Sequence, residues 1–114
     1  MKYLFDFAQS IEKLDLTIAQ LKITKERESY AGRMESGRVV VSLGVENPKE
    51  ITRRELILLA RKSIALAKSQ KVKRLAVCLG DFAFPHLKMQ EEEIGELFAT
   101  NAEMANYEFM QYKT

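Results

Sequence analysis

Two short, almost uninterrupted apolar runs constrain this chain most: Arg38 to Val45 (RVVVSLGV) and Arg74 to Gly80 (RLAVCLG). Runs of this kind, rich in β-branched residues in the first case, fit strands buried on both faces, as in a parallel sheet. The segment between them has helical periodicity. Leu56, Leu59, Ala60, Ile64 and Ala67 form one stripe, and Arg61, Lys62, Lys68 and Ser69 fall opposite it. Its start is signalled at several levels. Thr52 and Glu55 make a T-x-x-E capping box, Ile51 and Leu56 occupy the positions of a hydrophobic staple, and Pro48 keeps the chain extended just upstream. A helix is therefore expected from Arg53 to about Gln70, with Lys68 and Lys71 near its C-terminal end, where the dipole favours cations. Strand, helix and strand joined by short links make a βαβ unit over residues 38–80, with parallel strands and a right-handed crossover.

The flanking segments extend this unit into one α/β domain, residues 1–114, with a mixed sheet flanked by helices. KYLFDFA alternates Tyr3, Phe5 and Phe7 against Lys2, Leu4 and Asp6, a period-two strand pattern. LDLTIAQLKI places Leu14, Leu16 and Ile18 on one face and then switches phase to Ala19, Leu21 and Ile23. Either a bulge near Gln20 or a strand covered on both faces accounts for the switch. Thr24 to Gly37 is polar, contains Gly32 and Gly37, and reads as a loop with room for a helical turn. Asp81 to Leu87 reads as a loop containing Pro85. A second helix is expected from about Met89 to Tyr107, with Glu91, Glu92 and Glu93 in its first turn. Its buried stripe is Ile94, Leu97, Phe98, Ala102 and Ala105. Asn101 lies within that stripe, so it should face a partner or the stripe's edge.

Composition removes several function classes. With 114 residues and 46% apolar content, the chain suits one domain and is not intrinsically disordered. No apolar run approaches the roughly 20 residues of a membrane-spanning helix. Asp6 interrupts the apolar start and spoils a signal-peptide pattern, so a cytoplasmic location is expected. A net charge of +2 argues against a dedicated nucleic-acid binder. Cys78 is the single cysteine and His86 the single histidine, which excludes an intrachain disulfide, a cysteine zinc site and a multi-histidine metal site.

Each residue that could carry chemistry also has a plain structural explanation. Gly44 and Gly80–Asp81 close the two central strands, where ligands gather in open α/β sheets. No phosphate-binding glycine loop accompanies them, and an isolated Gly-Asp is usually a turn. Cys78 reads as a small buried hydrophobe and His86 as a loop histidine. Glu91 to Glu93 point in different directions and cannot converge on one ion. Arg53, Arg54, Arg61, Lys62, Lys68, Lys71, Lys73 and Arg74 concentrate basic charge on and just after one helix. Without interleaved aromatics they read as a solvated face rather than a nucleic-acid surface. No catalytic, cofactor-binding or metal-binding residue is assigned. The chain closes on NYEFMQYKT, and Met104, Tyr107, Phe109, Met110 and Tyr112 form a candidate interdomain or self-association surface.

The order of these motifs resembles the N-terminal domain of the leucyl aminopeptidases, the cytosol aminopeptidase family. The resemblance rests on V-V-V-x-L-G, on I-T-x-x-x-L opening a basic helix, on V-K-x-L-A-V, on an acidic-started helix, and on the closing Tyr107, Phe109, Tyr112, Lys113 and Thr114. It covers Arg38 to Thr114 well and Met1 to Gly37 only in the spacing of two strands. It implies a macro-domain-like fold without that fold's glycine-rich nucleotide loop. It also implies a parent metallopeptidase that removes N-terminal amino acids from peptides, using two divalent ions, zinc or manganese, in a hexamer. That machinery belongs to a C-terminal catalytic domain. Its signature, Asn-Thr-Asp-Ala-Glu-Gly-Arg-Leu, is absent from these 114 residues, so no cofactor is expected in this chain. The expected role is structural: shaping active-site access and helping assembly, with the catalytic domain as partner. The alternatives are a free-standing module for a small ligand at Gly44 and Gly80–Asp81, or a nucleic-acid contact through the basic helix.

Overall fold

A computed structural model describes residues 7–8 and 16–112. In chain order the elements are β1 (Phe7–Ala8), β2 (Ile18–Thr24), β3 (Tyr30–Arg33), β4 (Val39–Gly44), α1 (Arg53–Ser69), β5 (Arg74–Val77), α2 (Glu91–Met104) and β6 (Glu108–Tyr112). The six strands form one sheet in the order β1-β6-β5-β2-β4-β3. Every neighbouring pair is parallel except β3 with β4. The domain is a mixed α/β fold, as the sequence pattern requires.

Position in the sheet explains the strands' composition. β2 is the central strand, pairing with β4 through Gln20–Thr24 and with β5 through Ile18–Gln20. The register is continuous across Gln20, so the phase switch comes from coverage on both faces and not from a bulge. Ala19 and Leu21 enter the core under the helices, while Ile18 packs with Ala76, Cys78 and Met110 in a separate cluster. Leu16 lies before the strand, in a turn, and is half exposed. Leu14 and most of the KYLFDFA strand fall outside the described residues; only Phe7–Ala8 of that strand is seen, paired with β6.

β4 and β5 are parallel, as the βαβ reading requires, but they are not neighbours, since β2 lies between them. Arg38, buried at the start of β4, donates from Nη1 to the Ile18 carbonyl at 2.7 Å and so fixes the start of β2 beside it. The segment read as a loop over residues 24–37 contains β3. It runs back along β4 through a turn in which the Gly37 N–H donates to the Met34 carbonyl, with Gly37 at φ +93°. Only glycine adopts that conformation at little cost, so Ser36-Gly37 is the hairpin signal.

Both described helices pack on one face of the sheet. α1 begins where the capping box puts it. The Thr52 hydroxyl accepts from the Glu55 N–H at 3.1 Å, and the staple residues Ile51 and Leu56 are both buried. Leu56, Ala60, Ile64 and Ala67 are buried and Leu59 is half-buried, while Arg61, Lys62, Lys68 and Ser69 lie outward. α2 carries Glu91 to Glu93 in its first turn and buries Ile94, Phe98 and Ala102. Asn101 does face a partner. Its Oδ1 accepts from Arg61 Nε at 3.0 Å, and its Nδ2 donates to the Leu97 carbonyl at 2.7 Å.

α2 stops at Met104, three residues before the expected end, and the segment beyond it is a strand. The cause is Asn106, left-handed at φ 55°. The Tyr107 N–H then donates to the Ala102 carbonyl at 2.7 Å, a helix-ending arrangement that turns the chain toward the sheet. α1 ends the same way, with Lys71 at φ 60° and the Val72 N–H bonded to the Ala67 carbonyl. The two ends are tied together. The Tyr107 hydroxyl donates to the Val72 carbonyl at 2.6 Å, and Lys68 Nζ donates to the Ala105 carbonyl at 2.7 Å while lying 5.9 Å from the centre of the Tyr107 ring.

Burial pushes the Tyr107 pKa up to about 12 from 10.0. Tyr107→Phe should lower the unfolding free energy by about 1 kcal/mol, the usual net worth of such a hydrogen bond, in urea titrations at neutral pH. The contribution of the neutral phenol is complete below pH 10 and is lost as pH rises through about 12. The advantage of the wild type over the phenylalanine variant should therefore shrink and then reverse across that alkaline window, a trend read by repeating the titrations at each pH.

Candidate functional site

The parallel strands direct their carboxyl ends to one edge of the sheet, the usual place for a ligand in an open α/β fold. At β4 this end is Gly44. The loop after β2 folds directly over it. The Gly44 N–H donates to Ser29 Oγ at 2.9 Å and the Val45 N–H to the Thr24 carbonyl at 2.9 Å. A Cβ on Gly44 would stand 2.7 Å from the carbonyl oxygens of Glu26 and Glu28. Gly44 therefore serves a close backbone approach within the domain. Beside it is an open cavity of about 430 Å³, lined in part by Arg27, Glu46, Asn47, Glu50, Glu55 and Lys62. Its charges are mixed, and its wall includes no histidine, cysteine or hydroxyl nucleophile.

Gly80 and Asp81 do not line this cavity. They sit in a single helical turn, Leu79–Phe82, where the Asp81 N–H donates to the Cys78 carbonyl at 3.1 Å. Asp81 keeps much of its surface in solvent, and partial burial raises its carboxyl pKa. The two strand ends singled out by sequence thus do not share this cavity. Cys78 is buried against Ile18, Ala76 and Met110. His86 Nε2 lies 2.6 Å from the Ile51 carbonyl, tying the loop after β5 to the start of α1. Among the described residues, no three of His, Cys, Asp or Glu are grouped so as to hold a metal ion. No helix of the described residues is long and apolar enough to cross a membrane.

The five residues of the closing segment are distributed over different parts of the fold. Met104 is 72% exposed at the end of α2. Tyr107 is buried at the joint between the helix ends. Phe109 packs under the helices with its ring 6.4 Å from that of Phe98, whereas Met110 joins the cluster on the other sheet face. Tyr112 is paired by its backbone with Ala8.

A family profile described as the cytosol aminopeptidase family, N-terminal domain, matches residues 12–114. This chain belongs to the cytosol aminopeptidase family, as its N-terminal domain. Neither a curated protein nor a solved structure gives a significant match. The match reaches well upstream of Arg38 and takes in β2 and β3 of the aminopeptidase domain. The domain's closing Tyr-x-Phe stretch has a structural role in its own core. Tyr107 bonds the end of α1, and Phe109 fills space beneath Phe98. Among the described residues of this N-terminal domain, no donor set fits a divalent metal ion.

In this N-terminal domain, Gly44→Ala should destabilise the fold by about 1–3 kcal/mol, the range for forced overpacking, because both neighbours are backbone oxygens that cannot rotate away. Gly32 is the matched control. A Cβ there meets nothing within 4 Å, so Gly32→Ala should change stability by no more than about 0.5 kcal/mol. Urea midpoints of the two variants, with slopes held constant, check the contrast.

Proposed function

We propose that this domain is the non-catalytic N-terminal part of a leucyl-aminopeptidase-type metallopeptidase that removes N-terminal amino acids from peptides. The observation that carries the reading is family membership over residues 12–114 in a chain with one histidine, one cysteine and no family metal signature. In this reading the whole of residues 1–114 is one such domain. On the same reading, a catalytic domain in the same protein would hold two divalent ions, zinc or manganese, and would supply the Lewis-acid chemistry of peptide hydrolysis. The N-terminal domain contributes by shaping access to that site and by helping assembly, in the cytoplasm. Of the closing segment, Met104 offers the most free surface to an adjoining domain, with Met110 on the opposite side of the sheet.

The 114-residue polypeptide alone should show no aminopeptidase activity. Leucine amide and a chromogenic leucine substrate, each with added zinc or manganese, provide the assay. Turnover by pure protein that disappears with a chelator would overturn the reading, since it would require a metal site built from these residues.

A further inference from the structure

The outer faces of α1 and α2 form a groove that the domain itself leaves open, a cavity of about 410 Å³. Arg53, Ile57 and Arg61 come from α1, one helical turn apart, and Glu93, Glu96, Leu97 and Met104 from α2. The helices run side by side in the same direction. Their first turns share one end of the groove, Arg61 meets Asn101 midway, and Lys68 meets Ala105 at the far end. One wall is therefore basic and the other acidic, with Ile57 and Leu97 half-buried between them. Among the described residues the single ion pair is Arg74–Glu108, so neither Arg53 nor Glu96 is satisfied by a salt bridge across its own groove.

We propose that this face binds a second copy of the same chain. The face is self-complementary. A two-fold axis laid along the groove turns one copy face-down on the other and exchanges the walls without sliding them lengthwise. α1 of each copy then lies over α2 of its partner. Arg53 of each copy meets the Glu93 and Glu96 positions of the other, Ile57 meets Leu97, and Met104 covers the far end near Arg61. Each contact occurs twice, as an isologous interface demands. The arrangement joins two helix pairs into four packed helices, burying the Met104 side chain and part of the half-buried row. The charged pairs fix register and partner choice, while the apolar row supplies the burial.

Sedimentation velocity of the 114-residue chain across a concentration series tests this pairing. A monomer–dimer equilibrium that weakens as salt rises is expected. Arg53→Glu and Glu96→Lys, both at exposed positions, should each weaken dimerisation at least tenfold, with circular dichroism unchanged. An equimolar mixture of the two variants should recover it, because in the mixed pair both contacts again join opposite charges. A strictly monomeric wild type would overturn the proposal. So would a dimer indifferent to both reversals, which would mean association through another surface, or a mixture that fails to recover.

Discussion

The hydrogen bond from the Tyr107 hydroxyl to the Val72 carbonyl is the joint on which the arrangement of this domain depends. Val72 and Tyr107 are equivalent residues, each the first to leave a helix through a left-handed neighbour. Bonding one to the other sets the end of α1 against the end of α2. Two residues after Val72 and one after Tyr107, the chain enters β5 and β6 at the paired positions Arg74 and Glu108. The strands' register is therefore set where the helices end. Lys68 strengthens the joint by occupying the Ala105 carbonyl, one of the acceptors a helix end leaves open. Lys71 has no intrinsic preference for its left-handed conformation and is held in it by these surrounding bonds, whereas Asn106 is a residue type that adopts it readily.

Much of the fold was legible because local and tertiary signals agreed. Thr52, Glu55, Ile51 and Leu56 specify the start of α1 by chemistry confined to a few residues, and the helix begins there. The apolar runs ending at Gly44 and near Cys78 are strands with neighbours on both edges, and their apolar side chains are buried on both faces, as is Ser42. What was missed depends on distant partners. β3 contains Gly32 and, apart from Tyr30, only weak β-formers, and it is a strand because the Ser36-Gly37 turn folds it back onto β4. β6 reads as a continuation of a helix plus an aromatic tail, and it becomes a strand only when β5 is beside it. The order of strands, with β2 separating β4 from β5, has no local signature at all.

The same distinction governs the candidate sites. Gly44 at a strand end suggested room for a ligand, yet the approach of the Glu26 and Glu28 carbonyls uses that room for the chain itself. The closing aromatics suggested one surface patch. Strand geometry instead sends Phe109 and Met110 to opposite faces. Asn101 shows the reverse situation. A polar residue in an apolar stripe is an anomaly that sequence could detect, and its partner, Arg61, was the residue facing it across the helix pair.

β6 is the last of the described strands, but it lies inside the sheet, between β1 and β5. During synthesis, β1 emerges first and has no edge to dock against until β6 follows, about a hundred residues later. β2 to β5 and α1 can assemble among themselves as their chain becomes available. The first strand, by contrast, must wait as unpaired chain on the ribosome until the domain's final residues clear the exit tunnel. Closure of this sheet is thus a late event that joins strands about a hundred residues apart, a long-range pairing of the kind that slows folding.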